Sequence, residues 1–178
     1  MRKLRLSILA ALLGASLAHA PAALAAGQPS SMEPDRSAVL FVGDYAPGTI
    51  VVYTGARRLY LVTGQDEAIE YEIAVGKPSE QWFGESWVSK KRRNPTWTPT
   101  PSMRAENPKL PQSMGPGPKN PLGERAINLG WGTYRIHGTN KPNSIGSAAS
   151  AGCFRMRNAD VKDLFERVHV GAQVVVLR

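Results

Sequence analysis

The sequence predicts one β-rich domain with long loops, and three observations support this. The chain has 178 residues, of which 42% are hydrophobic, enough for one core but not comfortably for two. It contains 17 glycines and 14 prolines, too many for a helical bundle. Short runs of β-branched and aromatic residues alternate with turn residues, which is typical of strands.

The first 26 residues have the pattern of a secretory signal peptide. Basic residues at Arg2, Lys3 and Arg5 precede an apolar run over 6–18, and Ala-Leu-Ala at 23–25 suits cleavage. The apolar run is shorter than the roughly 20 residues of a membrane-spanning helix. We therefore expect export to the periplasm or cell wall and no integral membrane protein, with an uncleaved anchor as the alternative.

Charge and composition divide the remaining chain into a linker and a domain. Residues 27–46 are rich in Pro, Ser, Ala and Gly, which predicts a linker before a domain over 47–178.

The net charge of +8 favours anionic partners in the cell envelope. In an exported protein the basic run at 90–93 indicates a solvated hairpin or a glycan contact, and we expect no nucleic acid partner.

Three runs rich in β-branched and aromatic residues predict a three-stranded meander over 49–53, 58–62 and 68–75. In the third run, alternation places Ile69, Tyr71 and Ile73 in the core and Glu70 and Glu72 in solvent. Further strands are expected over 126–129, 133–136 and 173–177. One C-terminal helix is expected to be capped by Asn158 and ended by Gly171.

Residues 76–123 lack regular periodicity, and eight prolines between 95 and 121 break any long element, which predicts a long loop excursion with a short helix near 103–107. Loops of this length are often functional, so we interpret it as a wall or lid over a site. Its Trp82, Trp87 and Trp97 either bind sugar rings or peptide stems or, the favoured interpretation, attach the loop to the domain.

Cys153 is the single cysteine, so no intramolecular disulfide is possible. With three histidines the chain has too few soft ligands for a cysteine-rich zinc site, and we expect no metal and no cofactor. A thiol attacks a carbonyl as a thiolate, which requires a base or a positive field. From the residues alone, a buried inert cysteine is an equal alternative to a nucleophilic one.

His137 is the candidate base, because it ends a predicted strand and precedes Gly138. His169 is expected to be structural, at the end of the C-terminal helix. Gly152 favours a tight turn that exposes the sulfur and aims backbone N–H groups at one point, as an oxyanion hole requires. Arg155 would favour the thiolate or bind a substrate carboxylate, or would be only a surface arginine.

Three segments together resemble the active-site signature of the L,D-transpeptidases with a YkuD-type catalytic domain. They are His-Gly-Thr-Asn at 137–140, Ser-Ile-Gly at 144–146 and Ser-Ala-Gly-Cys-Phe-Arg-Met at 150–156. Further family segments recur in order, so the resemblance covers residues 47–178. It implies a mostly β, β-sandwich-like catalytic domain with one short C-terminal helix and the long loop excursion.

The resemblance also implies a reaction on peptidoglycan stem peptides. Cys153 would attack the third stem residue, expel the terminal D-alanine and form a thioester, which an amine acceptor resolves. A second stem peptide as acceptor gives a 3→3 crosslink, whereas a lipoprotein lysine, a free D-amino acid or water gives anchoring, exchange or trimming. His137 would be the base, oriented by the Gly138 carbonyl.

The family pattern assigns the remaining site residues by position. The N–H groups of Gly152 and Cys153 would hold the oxyanion, and Arg155 and Ser150 belong to the substrate-binding set. The sequence departs from the family at Ala151, where many members have a second histidine. Two alternatives stay open: a non-catalytic wall-binding protein on this fold, and an L,D-carboxypeptidase in which water resolves the thioester. A redox role is the weakest, because no second cysteine is present.

Overall fold

The computed structural model describes residues 34–178, so the predicted signal peptide and residues 27–33 of the predicted linker lie outside the described residues. The strands are β1 Arg36–Leu40, β2 Ile50–Tyr53, β3 Arg58–Gly64, β4 Glu67–Glu72, β5 Val75–Gly76, β6 Gly84–Arg93, β7 Arg125–Leu129, β8 Arg135–His137, β9 Ala148–Ser150, β10 Phe154–Arg155 and β11 Gln173–Leu177. The helices are α1 Pro101–Glu106 and α2 Asn158–Arg167, with single 3-10 turns at Pro78–Glu80 and Pro142–Ser144. Neither helix is long and apolar enough to cross a membrane.

The strands form one large sheet and a small separate pair. Nine strands are ordered β1-β4-β3-β2-β11-β6-β7-β8-β10, and β5 pairs with β9. Strand β6 joins the two halves of the large sheet, pairing with β11 through its first residues and with β7 through its last. One hydrophobic cluster packs residues from both halves with α2. The mostly β fold class is therefore confirmed.

The predicted meander is confirmed as β2, β3 and β4, which pair antiparallel in sequence. Its alternation is also confirmed, since Ile69, Tyr71 and Ile73 are buried while Glu70 and Glu72 are partly exposed. The later strand predictions are confirmed by β7, β8 and β11. β11 returns to the middle of the sheet, parallel to β2, so the C-terminal residues are part of the core.

The prediction of a linker over 27–46 is wrong for part of its described region, because β1 pairs with β4 over five residues. The side chains of β1 are mostly exposed, so the strand has no buried face that a periodicity could reveal. Its first end is held by polar contacts: the Asp35 N–H donates to Asp160 at 2.7 Å, and Arg36 pairs with Asp163 at 3.3 Å.

The prediction of an irregular excursion over 76–123 is wrong for residues 84–93, which form β6. A register shift between Val88 and Lys90 interrupts the alternation there. The basic run at 90–93 is not a free hairpin, because Lys91 donates to the Val168 carbonyl at 2.6 Å and lies 4.4 Å from the Phe165 ring centroid. These contacts attach the C-terminal end of α2 to the sheet.

The short helix expected in the excursion is present as α1. Thr100 caps it by accepting from the Met103 N–H at 3.3 Å, and Pro101 occupies the first turn. The cap predicted for α2 is wrong, because Asn158 is the first helical residue and its side chain bonds elsewhere. The helix ends at Arg167, before the predicted stop at Gly171.

Candidate active site

A cavity of about 520 Å³ lies between the end of the sheet and the loop excursion. One wall is formed by the excursion, which supports its interpretation as a wall over a site. The residues that it contributes are Glu80, Trp97, Thr98, Thr100, Ser102, Met103, Pro121 and Leu122. The opposite wall is formed by residues 132–137 and 150–155.

Parallel pairing of β8 with β10 brings the two parts of the predicted signature together. His137 is the register partner of Arg155, and Ile136 is the partner of Phe154. Because alternate residues of a strand share a face, Arg135 and His137 point to the same side, as do Cys153 and Arg155. All four line the cavity, whereas the intervening Ile136 and Phe154 are in the core.

The His137 imidazole is buried and has one fixed orientation. Its Nδ1 lies 2.6 Å from the Gly138 carbonyl oxygen. A carbonyl can only accept, so Nδ1 carries the proton and Nε2 of the neutral ring has a free lone pair. Burial, aided by the charges of Arg155 and Arg135, lowers the pKa of His137 to about 4. At neutral pH this histidine is therefore an uncharged base.

The backbone that follows Gly138 is held by the side chain of Asn158. The Asn158 oxygen accepts from the N–H groups of Thr139 and Glu124, both at 3.2 Å, and its amide donates to the Thr139 carbonyl at 3.1 Å. A side chain at Gly138 would collide with Asn158, so glycine is required for this approach. The first residue of α2 thus fixes the segment that orients His137.

The Cys153 thiol is half-buried at the cavity wall and is not ionised in the resting state. Burial raises the pKa of Cys153, and the nearby charges of Arg135 and Arg155 oppose this only in part. Its Sγ lies 3.9 Å from the Thr133 carbonyl oxygen. The site therefore holds a neutral thiol and a neutral imidazole rather than an ion pair.

The turn over residues 150–153 is rigid and presents free backbone donors. The Ser150 hydroxyl donates to the Cys153 carbonyl at 2.5 Å, so it braces the turn although Ser150 also lines the cavity. Gly152 has a φ of 95°, a conformation that favours glycine. Within residues 34–178, the N–H groups of Gly152 and Cys153 have no acceptor.

The cavity is positively charged on its sheet side. Arg155 is half-buried, with its nearest side-chain partner the Ser144 hydroxyl at 3.5 Å. Across residues 34–178, no carboxylate forms an ion pair with Arg155 or Arg135. Glu80 lies on the same cavity lining as the two arginines. Two unpaired guanidinium groups make this side of the cavity suited to a carboxylate.

Sequence reasoning missed several residues of this site. Arg155 lies within the three signature segments, whereas Arg135 lies outside them. Only its position, two residues before His137 on a predicted strand, could have indicated that the two side chains lie on the same face of that strand. Asn158 was assigned to a helix cap. Among the tryptophans, Trp97 lines the cavity, whereas Trp82 is buried beneath it. His169 is exposed, lies beyond the end of α2 rather than in its last turn, and does not line the cavity.

The comparison with protein families decides which family this geometry represents. A model of the YkuD L,D-transpeptidase catalytic domain matches residues 47–176. The chain belongs to this family. The match contains the whole cavity wall formed by β8, β10 and the turn between residues 150 and 153. No group of three or more metal-ligating side chains occurs in the described part of the chain.

Known proteins agree with this assignment. The chain is 38% identical over 146 residues to the probable L,D-transpeptidase ErfK/SrfK of Escherichia coli, covering 78% of this chain and 46% of the relative. It is 35% identical over 133 residues to the putative L,D-transpeptidase YkuD of Bacillus subtilis, covering 74% and 67%. The chain spans about half the length of the first of these relatives.

Solved structures share the fold. An L,D-transpeptidase mutant from Enterococcus faecium matches with a TM-score of 0.59 at 20% identity, covering 74% of this chain and 50% of that chain. A Brucella melitensis protein described as a probable carnitine operon oxidoreductase matches with a TM-score of 0.54 at 46% identity, covering 83% and 97%. The family assignment rests on the family model and the curated relatives.

Proposed function

We propose that this chain is a cysteine-dependent L,D-transpeptidase that acts on peptidoglycan stem tetrapeptides through a thioester intermediate. The observation that carries the proposal is that Cys153 and a neutral His137 line the same wall of one cavity. The N–H groups of Gly152 and Cys153 have no acceptor within residues 34–178, and Cys153 lines this cavity. The wall-binding alternative requires none of these features.

Acylation begins with a proton transfer. The free lone pair of His137 Nε2 takes the proton from Cys153 Sγ as the sulfur attacks the carbonyl of the third stem residue. The new S–C bond turns the carbonyl oxygen into an oxyanion, which the N–H groups of Gly152 and Cys153 stabilise. The C–N bond to D-alanine then breaks, and the imidazolium returns its proton to the leaving amine.

Resolution of the thioester reverses the proton path. His137 takes a proton from the acceptor amine as the amine attacks the thioester, and the proton returns to the departing sulfur. The Gly138 carbonyl accepts from Nδ1 throughout and stabilises the transient imidazolium. An amine of a second stem gives a 3→3 crosslink, and water gives trimming.

The positive side of the cavity supports an anionic donor. The terminal D-alanine of a stem tetrapeptide has a free carboxylate, and Arg155 and Arg135 lie on the wall that carries Cys153. We assign to them the binding of donor carboxylates. The proposed place of action, the periplasm or cell wall, rests on the signal-peptide pattern of residues 1–26.

Product analysis tests this function. Purified chain is incubated with stem tetrapeptide, with and without an added amine acceptor. A transpeptidase forms the amine-coupled tripeptide and releases D-alanine, and Cys153→Ala and His137→Ala lose both products. Tripeptide alone in the presence of amine would indicate the carboxypeptidase, and intact tetrapeptide that binds without reaction would indicate the wall-binding protein.

A further inference from the structure

Trp82 is a buried side chain in contact with the backbone beside the candidate nucleophile. It is 8% exposed and precedes β6, far from the signature residues in sequence. Its indole Nε1–H donates to the Gly152 carbonyl oxygen at 3.0 Å in a buried bond. Trp82 does not line the cavity, so the Gly152 carbonyl points to the core side of the turn.

The direction of that carbonyl determines the direction of the next N–H. The Gly152–Cys153 peptide bond is trans, since no cis peptide occurs in the described chain. In a trans peptide the C=O and the following N–H point in opposite directions. A Gly152 carbonyl held by Trp82 therefore turns the Cys153 N–H away from the core, where it has no acceptor within residues 34–178.

The peptide needs an external constraint to stay in this orientation. Gly152 has a φ of 95°, and glycine populates positive and negative φ about equally. The Tyr134 ring packs against Gly152 and stacks on Trp82 with centroids 4.8 Å apart. This packing restricts the space around the Gly152–Cys153 peptide but does not select one of its two orientations. Only the indole N–H does so, because it bonds to the carbonyl side of the peptide and not to the N–H side.

We propose that Trp82 is a positioning residue for the oxyanion hole: its indole N–H holds the Gly152–Cys153 peptide with the Cys153 N–H directed at the reacting carbonyl. The inference rests on the proposed function. Without this bond the buried Gly152 carbonyl lacks a partner, and a peptide flip that directs it toward the cavity becomes favourable. The flip replaces a donor at the oxyanion with an acceptor.

The test variant is Trp82→Phe, which keeps an aromatic ring and removes the N–H. Loss of one oxyanion-hole donor lowers kcat by about a hundredfold to a thousandfold, so a misaligned donor should lower it by about tenfold or more. The KM for stem tetrapeptide should stay near the wild-type value, because the uncharged ground-state carbonyl gains little from this donor.

A second reaction of the same thiol distinguishes a positioning role of Trp82 from a general loss of structure around Cys153. Alkylation of Cys153 by iodoacetamide needs an accessible thiolate but forms no oxyanion. We expect Trp82→Phe to slow D-alanine release at least tenfold while the alkylation rate and its pH profile stay within about twofold of wild type.

Trp131→Phe is the matched control. The Trp131 indole donates to the Glu85 carbonyl at 2.8 Å, and its ring lies 4.7 Å from that of Trp82. It makes no bond to Gly152, so both rates should equal those of wild type. Should Trp82→Phe fail to fold, benzothienylalanine at position 82 replaces the N–H by sulfur in a ring of the same shape.

The outcomes separate this inference from the function on which it rests. Wild-type rates of D-alanine release in the Trp82 variants would overturn the positioning role, as would equal losses of release and alkylation. A wild-type chain that is alkylated but releases no D-alanine would refute the proposed function, and the inference with it.

Discussion

At the scale of single residues, the chemistry depends on a thiol and an imidazole that are both uncharged at rest. Burial lowers the pKa of His137 to about 4 and raises that of Cys153. In the proposed mechanism, the proton therefore moves to His137 only as the carbonyl is attacked. Separated charges would be costly to bury at rest, so the ion pair forms only transiently during the proposed reaction.

This neutral pair predicts the pH dependence of the reaction. The free base form of His137 is required, so kcat/KM for D-alanine release should fall only as the pH drops through about 4. The measurement is a pH–rate profile from pH 3 to 9 with wild-type chain. An acid limb near the ordinary histidine value of about 6.5 would contradict the buried, uncharged imidazole.

Asn158 makes the second prediction at this scale, because it holds the segment that orients His137. Asn158→Ala removes the bonds to Thr139 and Glu124 and leaves their N–H groups unpaired. We expect a loss of about 2 kcal/mol in the free energy of unfolding and a lower kcat. Urea unfolding and steady-state kinetics measure the two effects.

Asn158→Asp is the control for that substitution. It keeps an acceptor for the two N–H groups and loses only the donor to the Thr139 carbonyl. It should therefore retain more stability and more activity than Asn158→Ala. Equal losses in the two variants would show that the acceptor oxygen is not what fixes the Gly138 segment.

At the scale of elements, the sequence predicted those whose apolar residues form continuous or alternating runs. Strands β2 and β11 each bury three consecutive residues and β4 follows the predicted alternation, whereas β6 has a register shift and polar residues on most of its length. The signature residues were predictable because they follow a family pattern. Their partners Trp82 and Asn158 were not, because contacts between distant segments leave no local pattern, and Arg135 was indicated only by its position two residues before His137.

The loop excursion gives a prediction that belongs to this scale. The buried Asn120 amide donates to the Pro95 carbonyl at 2.7 Å and the Gly115 carbonyl at 2.9 Å, and its oxygen accepts from Leu122. Asn120→Ala leaves these groups unpaired. We expect faster amide hydrogen exchange over residues 94–123 than in wild type.

The meander is the internal reference in the same exchange experiment. Strands β2 to β4 make no contact with Asn120, so their protection should stay close to wild type. Unchanged exchange over residues 94–123 would show that the excursion is held by other contacts, and equal acceleration in both regions would indicate global destabilisation.

At the scale of the whole molecule, one polar cluster connects the first described strand to the last helix. Asp160 is fully buried at the start of α2, accepts from the Asp35 N–H at 2.7 Å and lies 3.7 Å from Arg157. Arg157 also pairs with Asp35 and with Glu72. The cluster attaches β1 to the body of the domain, which is why a segment of linker-like composition is ordered.

The cluster makes stability depend on pH. Burial raises the pKa of Asp160 to about 6, so between about pH 4 and 6 the folded chain keeps a proton that the unfolded chain releases. Asp160 therefore contributes stability at low pH that is lost as the pH rises through 6. Relative to Asp160→Asn, the wild type should lose up to about 3 kcal/mol between pH 4 and 7.

Urea unfolding of both chains at pH 4, 5, 6 and 7 measures this difference. The asparagine keeps an acceptor for the Asp35 N–H, so the pH-dependent part reports the carboxyl proton. A stability difference that stays constant with pH would show that Asp160 titrates at its ordinary value in the folded chain.

The mass of the intact chain after brief exposure to stem tetrapeptide tests the central claim most directly. If Cys153 forms a thioester, the wild-type mass rises by that of the tripeptide acyl group, the adduct maps to Cys153, and Cys153→Ala shows no change. An unchanged wild-type mass together with D-alanine release, or an adduct that persists in Cys153→Ala, would contradict the account.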